Sequence, residues 1–212
     1  MIIQRRRLGL LLLAALMAAL VAAPAQTSRA ERSTSPVVAL PVFAPVEGAS
    51  STLVRTESGL SARFQTAGLP AGEAFSVWFI VFNDPGACTA PIPGVSRCGP
   101  PDLFNPPALG GAFTMGGHVV GGGGPATIGG SLHVGDMRNA LTFGPGAPPA
   151  SPNALTNPMG AEVILVLLRH GPWTPGSPEQ LKTFWACNLP PGPGSTPFGC
   201  LEIQASVHQP TG

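Results

Sequence analysis

Apolar and polar positions divide this chain into stretches of different character. Near the N-terminus Arg5, Arg6 and Arg7 precede an apolar run from Leu8 to about Ala23. Two later runs, Ala74–Asn83 (AFSVWFIVFN) and Ala161–Arg169 (AEVILVLLR), are almost continuously apolar and rich in β-branched or aromatic residues. That composition predicts strands buried on both faces. Elsewhere the period is two. Leu60, Ala62 and Phe64 alternate with Ser61, Arg63 and Gln65, which predicts a half-buried strand. Leu201–His208 alternates likewise, placing Leu201, Ile203, Ala205 and Val207 inward and Glu202, Gln204, Ser206 and His208 outward.

Turn signals separate these runs. Ser58-Gly59 between Ser51–Glu57 and Leu60–Thr66 predicts a short hairpin. Gly121–Gly124 and Pro125 divide Gly111–Val120 from Ala126–Val134. We read two strands joined by a glycine-rich turn, which would pair His118 near Thr127. Ser177-Pro178-Glu179-Gln180 has an N-cap, a proline at the first helical position and a glutamine at the third, the start of a helix of one or two turns. Residues 137–160 read as a long loop. About seven strands and no long helix predict an all-β fold. The expectation is an antiparallel β-sandwich, immunoglobulin-like or Greek-key, over residues 41–212, with long Gly/Pro loops and a flexible lead-in at residues 26–40.

The first apolar run is about 16 residues long, short of the ~20 needed to span a bilayer, and ends in Ala23-Pro24-Ala25. This is the layout of a secretory signal peptide over residues 1–25, cut after Ala25. The mature chain then holds no membrane-spanning segment, and its expected location is secreted or periplasmic. Three of the 11 Lys and Arg residues lie in the leader, so the remainder is slightly acidic. A strongly basic nucleic-acid surface is excluded. Charged residues are only 10 % of the chain, Gly and Pro number 28 and 26, and hydrophobic content is 44 %. That hydrophobic content opposes disorder.

All four cysteines, Cys88, Cys98, Cys187 and Cys200, follow the leader. Export favours disulfides, and four cysteines allow three pairings. Cys88–Cys98 and Cys187–Cys200 is the favoured set, because each pair brackets a loop rich in Pro and Gly. The entropic model gives about 3 kcal/mol for staples on loops of this length. No C-x-x-C pair is present to suggest a zinc site.

No complete catalytic motif appears. Gly129-Gly130-Ser131-Leu132-His133 departs from G-x-S-x-G at its last position. Gly121–Gly124 lacks the Lys-Ser/Thr of a phosphate-binding loop. No catalytic residues are therefore assigned. Trp173 and Trp185 lie near loops and are candidate ligand contacts. Arg169-His170 ends a core strand, where a cation beside a histidine can bind an anion.

The segment His133-Val134-Gly135-Asp136-Met137-Arg138-Asn139 resembles the H-V-G-D-L-x-N stretch of copper/zinc superoxide dismutases. The resemblance implies His133 and Asp136 as metal ligands, with His118 as a further candidate and copper or zinc as the ion. The H-x-H pair of that family's copper site has one counterpart here, His118-Val119-Val120, with a single histidine. With a turn at Gly121–Gly124, His133 lies about 20 Å along the strand from the partner of His118. More broadly, VWFIVFNDPGAC, GGHVVGGGGPA, LHVGD and GAEVILVLLRHGP resemble bacterial secreted proteins related to the chordin-type (CHRD) domain. That likeness spans roughly residues 50–208. It implies a secreted β-sandwich and no particular activity.

The sequence thus supports an exported, disulfide-stapled β-sandwich with a non-enzymatic structural or binding role toward an extracellular ligand or protein. The alternative is an extracytoplasmic copper- or zinc-binding protein with a redox role.

Overall fold

The computed structural model describes residues 29–122, 125–142, 147, 149–184, 186–187 and 200–211. Eight strands form: β1 (Glu31–Ala39), β2 (Ala44–Thr56), β3 (Gly59–Thr66), β4 (Glu73–Phe82), β5 (Gly110–Val119), β6 (Ala126–His133), β7 (Glu162–Pro172) and β8 (Leu201–His208). All pairings are antiparallel. The all-β antiparallel class is as expected, but the eight strands join in one sheet, ordered β5-β4-β7-β8-β1-β2-β3-β6, rather than in two facing sheets. The sheet curls toward a barrel. β7 returns beside β4 although β5 and β6 intervene in sequence, which is Greek-key connectivity.

The hydrophobic pattern explains which strands go where. In β3 the buried Leu60, Ala62, Phe64 and Thr66 alternate with exposed or half-exposed Ser61, Arg63 and Gln65, so this wall meets water on its outer side. β4 and β7 are apolar on both faces because both faces are covered. Phe75, Val77, Phe79 and Val81 of β4 point into the barrel with Val163, Leu165 and Leu167 of β7. On the outer side, Phe82, Ile164 and Val166 lie under the 83–109 loop with Ala108 and Leu103. Trp78 and Leu168, with Ala112 of β5, lie under a second cover made of Leu141, Ala150 and Phe184. Burying one large apolar side chain contributes about 1.5–3 kcal/mol, so these covers add substantially to the fold.

Two expectations change. Residues 26–40 are not a flexible lead-in throughout, since Glu31–Ala39 is β1, paired along β2 and at its end with β8. Arg32 and Thr34 sit on the wet side, Glu31, Ser33 and Ser35 are half-buried, and Val37 is fully buried. β5 and β6 do not form a hairpin either. His118 pairs with Phe75 of β4, and β6 pairs with β3. These two strands are the opposite edges of the sheet, and they meet across a seam.

Glycine makes that seam. A Cβ on Gly130 would overlap the carbonyl oxygen of Met115, and one on Gly116 would lie 3.2 Å from the carbonyl oxygen of Gly129. Backbone thus packs on backbone, which only residues without a side chain permit. Further along, residues 139–141 cover the free edge of β5: Thr114 N–H donates to Asn139 O and Leu141 N–H to Ala112 O, both at 2.8 Å. An edge so covered offers no template for pairing with another chain.

Gly130→Ala should therefore lower stability by about 1–3 kcal/mol, the usual cost of overpacking. Gly121→Ala, where a Cβ meets open space, should stay within about 0.5 kcal/mol. Urea denaturation of both variants is the check. Equal midpoints would mean that the seam is open in solution.

Candidate functional site

Three polar constructions stand out against the apolar interior. The first closes one end of the barrel. Arg55 of β2 is fully buried, and its guanidinium donates to four carbonyls: Pro158 at 2.6 Å, Ala161 at 2.9 Å, and His208 and Gln209 at 3.1 Å each. It thereby ties the approach to β7 and the end of β8 to β2. Burial pulls its pKa down to about 10, against the opposing effect of Glu31. Beside it His208 is 2 % exposed, with Nε2 2.8 Å from Ser51 Oγ and Nδ1 2.8 Å from Ser33 Oγ. Ser51 also donates to Ser206 Oγ at 2.7 Å. The outward placement of Gln204, Ser206 and His208 is thus overturned. In register they lie beside Leu167, Leu165 and Val163, whose side chains face the interior. The apolar residues Ala205 and Val207 pack instead beneath the 83–109 loop. His208, Ser51 and Ser206 are buried and Ser33 half-buried, and the group reads as structure, with both ring nitrogens of His208 occupied.

The second construction is the 83–109 loop. Cys88 and Cys98 are joined, with Cα atoms 5.2 Å apart. Two buried carboxylates organise the rest. Asp102 accepts from the backbone N–H groups of Thr89, Ala90 and Gly99 and from the Thr89 hydroxyl, at 2.9–3.2 Å. Burial pushes the Asp102 carboxyl up, but those hydrogen bonds together outweigh it and hold it below the ordinary range. Glu162, at the start of β7, accepts from Arg97 N–H at 2.9 Å and Cys98 N–H at 3.0 Å. The fixed loop forms one wall of an open cleft of about 480 Å³. Its other wall includes Thr156, Asn157, Gly160 and Pro210. The Asn83 amide is committed within that frame: it donates to Leu109 O and Ala154 O and accepts from Thr156 and Asn157 N–H. The exposed Arg97 and Asp84 supply the charge in the cleft. Among the described residues the Arg97 guanidinium has no ion-pair partner.

The third construction lies on the outer face of β4 and β7, under Phe184. Trp78 Nε1–H donates to Ser76 Oγ at 2.9 Å, and Ser76 Oγ lies 2.7 Å from His170 Nε2. His170 Nδ1 is 3.3 Å from Sγ of Cys187 and 3.3 Å from Sγ of Cys200. Those two cysteines form the second pair, again with Cα atoms 5.2 Å apart. Ser76, His170 and Cys200 are fully buried, and Trp78 meets the Phe184 ring edge-on at 4.2 Å. Burial lowers the His170 pKa to about 4, partly opposed by a hydrogen bond to the Ala186 carbonyl. The three ligand-type atoms of His170, Cys187 and Cys200 lie within 4.8 Å of one another. The cysteine spacing foretold the pair. Nothing in the sequence foretold the histidine, which reaches the sulfurs from a strand 17 residues earlier than Cys187.

The other sequence candidates separate. His118 pairs near the end of the barrel that holds Ala74 and Gly171, while His133 sits at the opposite end, paired with Gly59. The two cannot share an ion. The Asp136 carboxylate, near His133, is taken by the Arg138 guanidinium and backbone N–H, and these hold its pKa down to about 2. Arg169 is not a free cation: it makes a two-pronged ion pair with Glu73. His170 faces the cysteines under cover rather than a ligand at the surface. Trp173 is half-buried, its amide bonded to Gly72 O at 2.9 Å, at the end of the barrel away from the cleft. Trp185 lies outside the described residues, as do residues 1–25. No helix among the described residues is long and apolar enough to cross a membrane.

Compared with known proteins, the chain matches no family model, no curated protein and no solved structure.

The buried imidazole of His208 generates a pH dependence. Its pKa falls from 6.5 to about 4 in the folded chain, through burial first and the Arg55 charge second. The unfolded chain therefore takes up this proton first as the pH drops. The contribution is fully present above about pH 6.5 and is lost as pH falls toward 4, by about 2–3 kcal/mol at one pKa unit per 1.36 kcal/mol. Urea midpoints at pH 7 and pH 4.5 should diverge less in His208→Gln than in the parent. Identical divergence would show that His208 is solvated.

Proposed function

We propose that this all-β, disulfide-stapled chain is exported and acts as a binding module for a small anionic or zwitterionic ligand. The observation that carries the reading is the rigid wall of the cleft. Asp102, Glu162 and the Cys88–Cys98 pair hold the loop backbone from Thr89 to Asp102 through hydrogen bonds that need no ligand. A site held in shape beforehand loses little ordering entropy on binding. Arg97 lines the cleft from that wall and is exposed, and a planar guanidinium matches a carboxylate or a phosphate through paired N–H donors. Asp84 on the same rim offers an acceptor for a cationic group.

Export rests on the leader pattern, supported by two cysteine pairs at disulfide distance, which suit an oxidising compartment. The likeness to secreted CHRD-type chains agrees and carries no residue roles with it.

Two measurements test the reading. Mass spectrometry of the chain released by an export host should give a protein beginning at Gln26 and without free thiols. A mass that retains residues 1–25 would overturn export. Thermal melts against acetate, citrate, sulfate, phosphate and glutamate should show at least one stabilising anion. Arg97→Ala should abolish that shift while changing the unliganded protein by no more than about 0.5 kcal/mol. Absence of any shift, or a shift indifferent to Arg97→Ala, removes the cleft as the site.

A further inference from the structure

We propose that His170, Cys187 and Cys200 form a redox-gated site for one copper(I) ion, closed while the two sulfurs are bonded to each other and open when they are thiols. This inference does not depend on the Arg97 cleft, which lies at the far end of the strands.

Geometry carries the case. One imidazole nitrogen stands at the same distance, 3.3 Å, from both sulfurs, and all three donor atoms fall within 4.8 Å of one another. A disulfide needs no such neighbour: the Cys88–Cys98 pair has a carboxylate, Asp102, nearby, but that carboxylate is spent on backbone N–H groups. At the second pair the donor atom faces the sulfurs themselves. The remote nitrogen is held as well. His170 Nε2 lies 2.7 Å from Ser76 Oγ, which in turn receives the Trp78 indole N–H at 2.9 Å. When Nε2–H donates to that hydroxyl, Nδ1 has its lone pair free for an ion between the sulfurs, and binding there displaces the hydrogen bond that the ring makes to the Ala186 carbonyl. A fixed partner on the far ring nitrogen is how proteins set the tautomer and aim of a ligating histidine.

The donor set and surroundings select the ion. Thiolates favour copper(I), zinc and iron–sulfur clusters over hard cations. A closed zinc site takes four protein ligands, or three with water in the fourth position. Here the ligands stand among Trp78, Leu168, Leu141 and Phe184, and the surroundings are apolar. Copper(I), soft and content with two or three donors, fits that set. The half-exposed Cys187 gives a reductant access, whereas Cys200 is fully buried.

The chemistry balances. A dithiol reductant gives two electrons and two protons to the Cys187–Cys200 bond, leaving two protein thiols and its own disulfide. Copper(I) then displaces both thiol protons to solvent and binds two thiolates and the neutral imidazole, with no change in its oxidation state. A disulfide oxidant that takes the two electrons of the thiolates, and two protons from solvent to become two thiols, re-forms the Cys187–Cys200 bond and releases the copper(I) ion.

The test uses the exported chain, reduced with a dithiol and desalted without air, then titrated against copper(I) held by bathocuproine disulfonate. The expected result is one copper(I) per chain, with a thiolate-to-copper absorption band and unchanged strand circular dichroism. His170→Ala should weaken binding about tenfold or more, and the oxidised chain should take none. Cys187→Ala keeps the first staple and needs no reductant; through Cys200 and His170 it should still hold one copper(I), more weakly, and lose it when His170→Ala is added. Three results would each overturn the proposal: uptake retained in Cys187→Ser/Cys200→Ser, no uptake by Cys187→Ala, or one zinc per chain bound in preference to copper(I).

Discussion

The fold depends on bringing the two edges of one eight-stranded sheet together. A curled sheet with open edges would leave Phe64, Phe79, Phe113 and Leu165, all buried in the common core, exposed to water along one side. Closure is achieved where β5 meets β6, and there the side chains are absent. Gly116 and Gly130 let the two backbones approach, and residues 139–141 complete the pairing of the β5 edge. The many glycines that look like looseness in the sequence are, at this seam, what lets a dry interior exist.

Closing the barrel creates a second demand. β4 and β7 carry apolar residues on both sides, so the barrel needs an outer cover over that wall. Loop segments provide it, and two of them carry the cysteine pairs. Loops rich in Pro and Gly hold little shape by themselves, and in the 83–109 loop a covalent tie and buried carboxylates supply it. Both candidate sites arise from this arrangement. The cleft lies where the first cover meets the residues before β7, and the histidine–cysteine cluster lies where the second meets the outer face of the sheet. In both, loop residues meet groups fixed by the sheet: Arg97 rides on a loop, and His170 projects from β7.

The polar residues inside the barrel follow a different logic. Arg55 and His208 are buried and satisfied almost entirely by carbonyls and serines. Arg55 Nε alone lacks a partner among the buried side-chain atoms described. A guanidinium with four carbonyl partners works as a cross-link between distant backbone segments, which is why a charge is tolerated at the closed end.

Much of this was legible in the chain. Continuous apolar runs marked β4 and β7, alternation marked β3 and β8, Ser58-Gly59 marked a hairpin, and the Pro/Gly-rich loops between the cysteines favoured both pairs. Those features are local, set by strand period, turn chemistry and loop closure. The tertiary structure decided the rest. Alternation in β8 cannot say which side is inside, because a polar residue is welcome in solvent or beside partners such as Ser33, Ser51 and Arg55. A glycine-rich stretch cannot say whether it turns a hairpin or spaces two sheet edges. His170 acquires its sulfurs, Arg169 its Glu73 and Arg97 its cleft only when segments far apart in sequence are packed together. Contact between remote residues depends on the global path of the chain, and no local pattern of residues encodes that path.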